Sequence, residues 1–589
     1  MAERTRRPTR QPNRRPSARR YAVVLTLVAA LVAGACSAGP EPEPVAERTV
    51  SAAPTPSGTL TPEPPRRQAL AGTRPNVVMV LMDDFSMDLL PTMAAARRLA
   101  RRGATFDHFV VDSLCCVSRA SLMTGQFPHQ TGVLTNSARS APGAGPAGGW
   151  AAYRDYGNDA RTVSLRLQKA GYTTGFVGKY LNEYEYNPGW KVPPVPPGWD
   201  QFNVLFGSAY DGWGFDSLDV VDGQVVVRNH PLPPASAPAA EKDAVYAGQV
   251  IEDYALDFIA ERSGDDDPWF LQVNPFAPHN RVNAEGAWPG EPVFPAAFRD
   301  RPGGTKRGGN CGRVRCADLT VADLPGYGDD SRDNTPVRAD GRRTRAWNDR
   351  APMRRGVAEQ RLRDRARMVQ SVDRTLARIM KAVDDDTVVV LTSDNGFHLG
   401  QNGLWAGKGT AYDTDLRVPL LMAGPGIEPG PRAEWTSNID LAPTLEDWAG
   451  IRSPRHRAGT SLLPALEDPE LAARDHVFVD HTTDTVGDDP DLAFTGGELQ
   501  RIPTYLAVRS RTGLLIRNDL DPRAAGRQVG WEFYSYADHP WERRNAYAAP
   551  RHAAEVAALQ RRLEAFDDCR SIIRNQRWPK RCRDLTGPQ

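Results

Sequence analysis

The sequence predicts an α/β fold with a largely parallel sheet. Three observations point there. Short, unbroken apolar runs recur along the chain, as strands buried on both faces require. Helical patterns lie between them. Several runs stop abruptly at Asp, Asn, Lys or His, and in such folds the carboxyl ends of the strands meet along one sheet edge. The chain has 589 residues, 25% charged and 40% hydrophobic, too apolar for a disordered protein and too long for one minimal core. Lys+Arg 73 against Asp+Glu 72 leaves a net charge of +1, so no nucleic-acid partner is expected. Lysines number only eight, which makes each one informative.

The first element is an export signal, residues 1–36. An arginine-rich stretch ends in Arg19-Arg20, and an apolar run from Tyr21 to Ala35 follows. The run is shorter than the ~20 residues of a membrane span and has a positive flank. Small residues before Cys36 predict lipoprotein processing, with ordinary signal cleavage as the alternative. The protein is thus expected outside the cytoplasm, as a lipid-anchored cell-surface protein or a secreted one. The lipid would be its one membrane contact. Residues 37–72, rich in Pro, Ala, Glu and Thr, read as a tether.

The strands come next. Asn76 to Met82 is apolar and ends at Asp83-Asp84. Thr173 to Val177 leads into Gly178-Lys179, and Trp269 to Val273 leads towards Pro278-His279. Thr387 to Leu391 ends in Thr-Ser-Asp394-Asn395-Gly396, and Val418 to Met422 is a fifth run of the same kind. Pro91–Arg102 and Asp364–Val383 carry helical patterns. In an exported chain Cys311 with Cys316, and Cys569 with Cys582, pair as two local disulfides. Adjacent Cys115 and Cys116 are left as two buried thiols.

Meeting at one sheet edge, Asp83, Asp84, Asp394 and Asn395 form a hard-oxygen set. It suits calcium or magnesium rather than zinc or copper. Lys179 and His279 reach the same edge.

The segment Ser113-Leu-Cys115-Cys116-Val117-Ser118-Arg119-Ala-Ser-Leu-Met-Thr124-Gly125 resembles the type I sulfatase signature C-x-P-S-R-x-x-x-x-T-G. Cys115, four residues before Arg119, matches the cysteine that the family oxidises to formylglycine. Asp83-Asp84, Gly178-Lys179, Pro278-His279, Asp394-Asn395-Gly396 and Lys408-Gly-Thr-Ala-Tyr412-Asp413 followed by Arg417-Val418-Pro419 look like later family motifs, in the right order. The Cys pair, Gly-Lys-Tyr-Leu-Asn182-Glu-Tyr and Asp-Asn-Gly-Phe-His398 look most like the N-acetylglucosamine-6-sulfatase branch.

The resemblance implies an alkaline phosphatase-like α/β/α sandwich over 73–451, with a smaller C-terminal α+β subdomain over 452–589. It implies hydrolysis of a sulfated carbohydrate or aryl sulfate by hydrated formylglycine at position 115. The metal, calcium with magnesium as the alternative, would be held by Asp83, Asp84, Asp394, Asn395 and the oxygen at 115. Arg119 would orient the nucleophile, Lys179 and Lys408 would clamp sulfate oxygens, and His279 would be the general acid. Asn182 and His398 would contact substrate. A formylglycine-generating enzyme is the implied maturation partner.

Two departures stand out: Val117 replaces the family's proline, and Leu181 takes the position of a histidine base. His129 reads either as a site residue or as loop packing. The Arg-rich stretch 300–366 reads as a solvated face, or as a surface for a polyanionic glycan. Two other functions remain open: a phosphonate or phosphate monoester hydrolase, and a non-catalytic surface protein that binds sulfated glycans.

Overall fold

The computed structural model describes residues 69–588 apart from 140–144, 187–188, 190, 222–223, 305–309, 485–500 and 522–527. The export segment, Cys36 and nearly all of the tether lie outside the described residues. Arg67–Gln589 forms one compact unit.

A ten-stranded mixed sheet frames it. Its centre is parallel and holds β1 (Asn76–Met82), β2 (Thr173–Gly178), β3 (Gln201–Leu205), β4 (Trp269–Asn274) and β5 (Thr387–Ser393). Their spatial order is β5-β1-β4-β2-β3. Every residue of β1 is buried, and alternate side chains enter different cores. Val77, Met79 and Leu81 pack with Leu122, Leu167 and Trp448. Val78, Val80 and Met82 pack with Leu99, Phe258 and Val369. Those partners lie on helices, including α1 (Ala94–Arg102), α2 (Cys115–Thr124), α3 (Ala247–Arg262) and α4 (Arg355–Ala382). The unbroken apolar runs therefore have the expected cause: helices cover both sheet faces.

Three expectations are corrected in detail. The run Val418–Met422 is not a fifth parallel strand. Only β6 (Leu421–Ala423) pairs, and it is antiparallel to β5. Pro419 has no N–H to give a ladder, and no crossover helix returns the chain from the end of β5 to its start. The helix expected at Pro91 starts at Ala94, behind a 3-10 turn, Met87–Thr92, that contains the proline. The helix expected from Asp364 begins at Arg355.

A second, antiparallel sheet contains β7 (His476–His481), β8 (Thr504–Ser510), β9 (Gly513–Asp519) and β10 (Val529–Ser535). Tyr505 and Ala507 of β8 join the main core, whereas Leu506 and Val508 face Leu559, Leu563 and Phe566 of a helix, Ala553–Cys569. Both expected disulfides are present, Cys311–Cys316 and Cys569–Cys582, while Cys115 and Cys116 are buried free thiols.

Candidate active site

Neighbouring strands deliver the residues singled out from the sequence. β1 ends at Asp83 and Asp84, β5 at Asp394 and Asn395, β2 at Lys179, and the segment after β4 carries His279. Cys115 is the first residue of α2, with φ of 27°, and Asp84 has φ of 60°. Left-handed backbone costs a non-glycine residue roughly 1–2 kcal/mol. Amide hydrogen bonds offset it: Asp84 N–H donates to Asp394 Oδ1 at 3.1 Å, and Cys115 N–H to Asn395 Oδ1 at 2.7 Å.

The charged groups interlock in full burial. Lys179 Nζ lies 2.7 Å from Asp83 Oδ2. Lys408 Nζ lies 2.8 and 3.0 Å from the Asp84 oxygens and 3.2 Å from His279 Nε2. Arg119 donates from Nε to Asp394 Oδ2 at 2.8 Å and from Nη1 to the Lys179 carbonyl at 3.1 Å. His279 Nδ1 lies 2.7 Å from the Asn280 carbonyl. A carbonyl only accepts, so Nδ1 carries the proton and Nε2 faces Lys408 and Asp84.

Burial pushes the Asp83 carboxyl up to about 6, against the pull of Lys179. Burial acts on Asp394 too, but Arg119, Lys179 and Lys408 outweigh it and hold that carboxyl at about 2. Burial opposes the Lys179 charge, yet Asp83 keeps its pKa well above the ordinary value. The Cys115 thiol is pushed well above the ordinary range by burial, with Lys408 opposing. It is therefore protonated and a poor nucleophile as it stands.

Asp83, Asp84, Cys115 and His279 each offer a donor atom within 4.8 Å of the others. Asp83 Oδ1 is buried without a hydrogen-bond partner and faces Arg119 Nη2 at 3.7 Å. An unbonded carboxylate oxygen beside Asp84, Asp394 and Asn395 fits a hard divalent cation. Asp394 is the most committed of the set: Oδ1 accepts from the amides of Asp84 and Asn395, and Oδ2 from Arg119.

The remaining expected residues fall in distinct places. Asn182 lines a cavity of about 150 Å³ that also reaches Lys179. His398 is buried, its Nδ1 2.9 Å from Asp415 Oδ1, and its main chain pairs with Gly407 at 2.8 and 3.1 Å. Asp415 also accepts from the amide and hydroxyl of Thr410. His398 thus braces the loop that carries Lys408. His129 packs against Phe127, Phe566 and Trp578 with Nδ1 3.1 Å from Asp480, which is the loop-packing role. Val117 is buried inside α2, and Leu181 is core.

Some contributors had no signal in the sequence. Arg365, from the stretch read as solvated, is buried. It donates to the Asp84 carbonyl and to Ser86 Oγ, and lies 4.5 Å from the Phe397 ring centre. Asn274 donates to the Lys179 carbonyl at 2.9 Å, and Asn136 Oδ1 accepts from the Cys116 amide at 3.1 Å. Only the position of Asn274 at a strand end marked it beforehand.

The family model described as Sulfatase matches residues 75–451. The extracellular sulfatase SULF-1 homolog of Drosophila melanogaster is 29% identical over 415 residues, 68% of this chain and 32% of that protein, so the chain spans about a third of that relative's length. Human N-acetylglucosamine-6-sulfatase is 28% identical over 472 residues, 75% of this chain and 76% of that protein. Two solved structures share the fold. One, in complex with its substrate D-glucosamine-2-N,6-O-disulfate, has 21% identity and a TM-score of 0.56, covering 85% of this chain and 98% of that one. The other, a phosphonate monoester hydrolase from Silicibacter pomeroyi, has 19% identity and a TM-score of 0.58, covering 84% and 95%. Both relations show the α/β architecture. The matched span contains each strand end that meets at Cys115, and on that ground this chain belongs to the sulfatase family of sulfuric ester hydrolases.

Proposed function

We propose that this protein hydrolyses the sulfate ester of a sulfated amino sugar, using a formylglycine made from Cys115 and a divalent cation, calcium in preference to magnesium. One observation carries the reading. Cys115 is fully buried at the start of α2, its Sγ 3.7 Å from Asp84 Oδ1, inside a ring of carboxylates, lysines and an arginine that an inert structural thiol does not need. The relatives named for glucosamine sulfate chemistry support the substrate class.

Asp83, Asp84, Asp394 and Asn395 would hold the cation, which supplies Lewis-acid polarisation of the sulfate, while the hydrated aldehyde supplies a hydroxyl nucleophile and a second hydroxyl for sulfate release. The chain's own groups do the rest. Lys179 and Lys408 would hold sulfate oxygens from buried, preorganised positions, where each such donor is worth ~10²–10³ in rate. Arg119 fixes Asp394 and the Lys179 carbonyl, and so the geometry of both. His279 would act as general acid once Nε2, which accepts from Lys408 at rest, has taken up a proton; it would pass that proton to the departing sugar oxygen while Nδ1–H stays on the Asn280 carbonyl. Export, the Cys36 lipid and a formylglycine-generating enzyme that accepts Val117 belong to the same proposal.

The test is mass spectrometry of tryptic peptide 103–119, from protein made with a formylglycine-generating enzyme, alongside turnover of an aryl sulfate and phenyl phosphonate. Aldehyde at position 115 and preferred sulfate release are expected, with activity lost to a chelator and restored by calcium. An intact thiol with tight sulfoglycan binding and no sulfate release would overturn the proposal in favour of a binding protein. Preferred phosphonate turnover would make the chain a phosphonate hydrolase.

A further inference from the structure

The cavity of about 150 Å³ beside Lys179 is smaller than the roughly 300–1,000 Å³ of pockets that enclose drug-sized ligands. It takes one sugar residue or part of one. Its wall is continuous with the active site. Lys179 Nζ lies 5.1 Å from the Tyr210 ring centre, and Tyr210 packs against His279 at 4.5 Å and Phe276 at 4.7 Å. Lys179 is the cation on this wall, and its partner Asp83 belongs to the site.

The segment after Lys179 gives the cavity the opposite character. Asn182, Glu183 and Glu185 line it. Asn182 Oδ1 is buried and accepts no hydrogen bond. Glu183 accepts from the Ala138 amide at 3.0 and 2.9 Å through its two oxygens. Glu185 Oε2 accepts from the Gly207 amide at 2.7 Å, and a Cβ on Gly207 would come within 2.5 Å of Oε1. The carboxylate is thus seated against bare backbone, in a place only glycine leaves open. Burial pushes Glu185 up to about 7, with the Gly207 amide and Lys179 lowering it. A cationic neighbour relieves that burial cost, and a second anion adds to it.

The ligand complementary to these walls carries an anion at Lys179 and a cation or hydrogen-bond donor towards the carboxylates. We propose that Glu185, with Glu183, makes this cavity a specificity pocket for the free amine of a sulfated amino sugar and excludes an N-sulfate from it. This rests on the sulfatase reading of the adjoining site.

Calorimetry on the Cys115→Ser protein measures binding apart from turnover. The probes are glucosamine 6-sulfate, N-acetylglucosamine 6-sulfate and glucosamine 2-N,6-O-disulfate at neutral pH. The free amine should bind at least about tenfold tighter than the disulfate, since like charges brought together in an interface are a principal source of discrimination. Adding Glu185→Gln, which keeps an acceptor for Gly207, should bring the two within about threefold. Equal affinities, tighter disulfate, no binding of any probe, or a ratio unmoved by Glu185→Gln would overturn the pocket. The affinity ranking before that substitution decides even if the variant fails to fold. Absence of sulfate release by the formylglycine-bearing parent would instead sink the sulfatase reading, and the affinity ratio would still judge the pocket.

Discussion

Lys408 Nζ bonds both oxygens of Asp84 and also His279 Nε2, so one carboxylate charge and one imidazole proton position depend on the same ammonium. Lys408→Ala should lower kcat by ~10²–10³ with a smaller change in KM, and Lys408→Arg should not restore it, because a planar fork cannot replace a point charge there. Steady-state kinetics on an aryl sulfate decides. Asp112 allows a prediction in pH. Burial pushes this carboxyl up to about 7 from 3.8, against hydrogen bonds from Ser121 and Asn438. The folded state therefore binds the proton more tightly than the unfolded chain between those two values. Stability falls as pH rises through that window and is flat above it. Asp112→Asn lacks the titration, so its stability relative to the parent should grow between pH 4 and 7 by on the order of 1 kcal/mol per unit. Denaturant unfolding at several pH values checks it, and a constant difference would refute it. Asp84 was legible because it closes an apolar run, and Lys408 only through the family motif it matches; Asp112 was not singled out. Arg365 was not, because burial of one arginine among many leaves no trace in composition.

Among the elements, the C-terminal helix Ala553–Cys569 covers one face of the second sheet, with Phe566 stacked on Phe478 at 4.4 Å. Cys569–Cys582 ties that helix to Lys580–Thr586 across a separation of 13 residues. Loops of this length constrain the unfolded chain by ~3 kcal/mol. Replacing both cysteines by serine should lower the melting temperature accordingly while leaving turnover below the transition intact. A drop in turnover at low temperature would show that the bridge also positions the site. The parallel strands and both disulfides could be foreseen from local pattern. The direction of β6 could not: an apolar run has the same composition whichever way it runs, and only the missing crossover helix decides.

On the scale of the whole molecule, the second sheet leans on the loop that carries Lys408. Tyr505 Oη donates to the Gly409 carbonyl at 3.0 Å, and Tyr412 Oη donates to Glu532 at 2.8 Å. Tyr505→Phe should lower kcat severalfold without moving the pH profile, as expected of a residue that positions Lys408 and takes no part in proton transfer. A shifted profile would contradict this. The α/β class and the gathering of strand ends followed from chemistry placed at the ends of apolar runs. This bracing did not, because no residue pattern in 504–535 announces which loop it will touch.

The burial of Cys115 also sets a schedule. The bond from its amide to Asn395 joins residues 280 apart in the chain, and Cys115 is 0% exposed in the folded protein. Any enzyme that alters this side chain must arrive before the partner strand docks. At a synthesis rate of roughly 5–20 residues per second, that interval lasts on the order of tens of seconds. Slower synthesis between the two codons would lengthen the interval, and early closure of the sheet would end it.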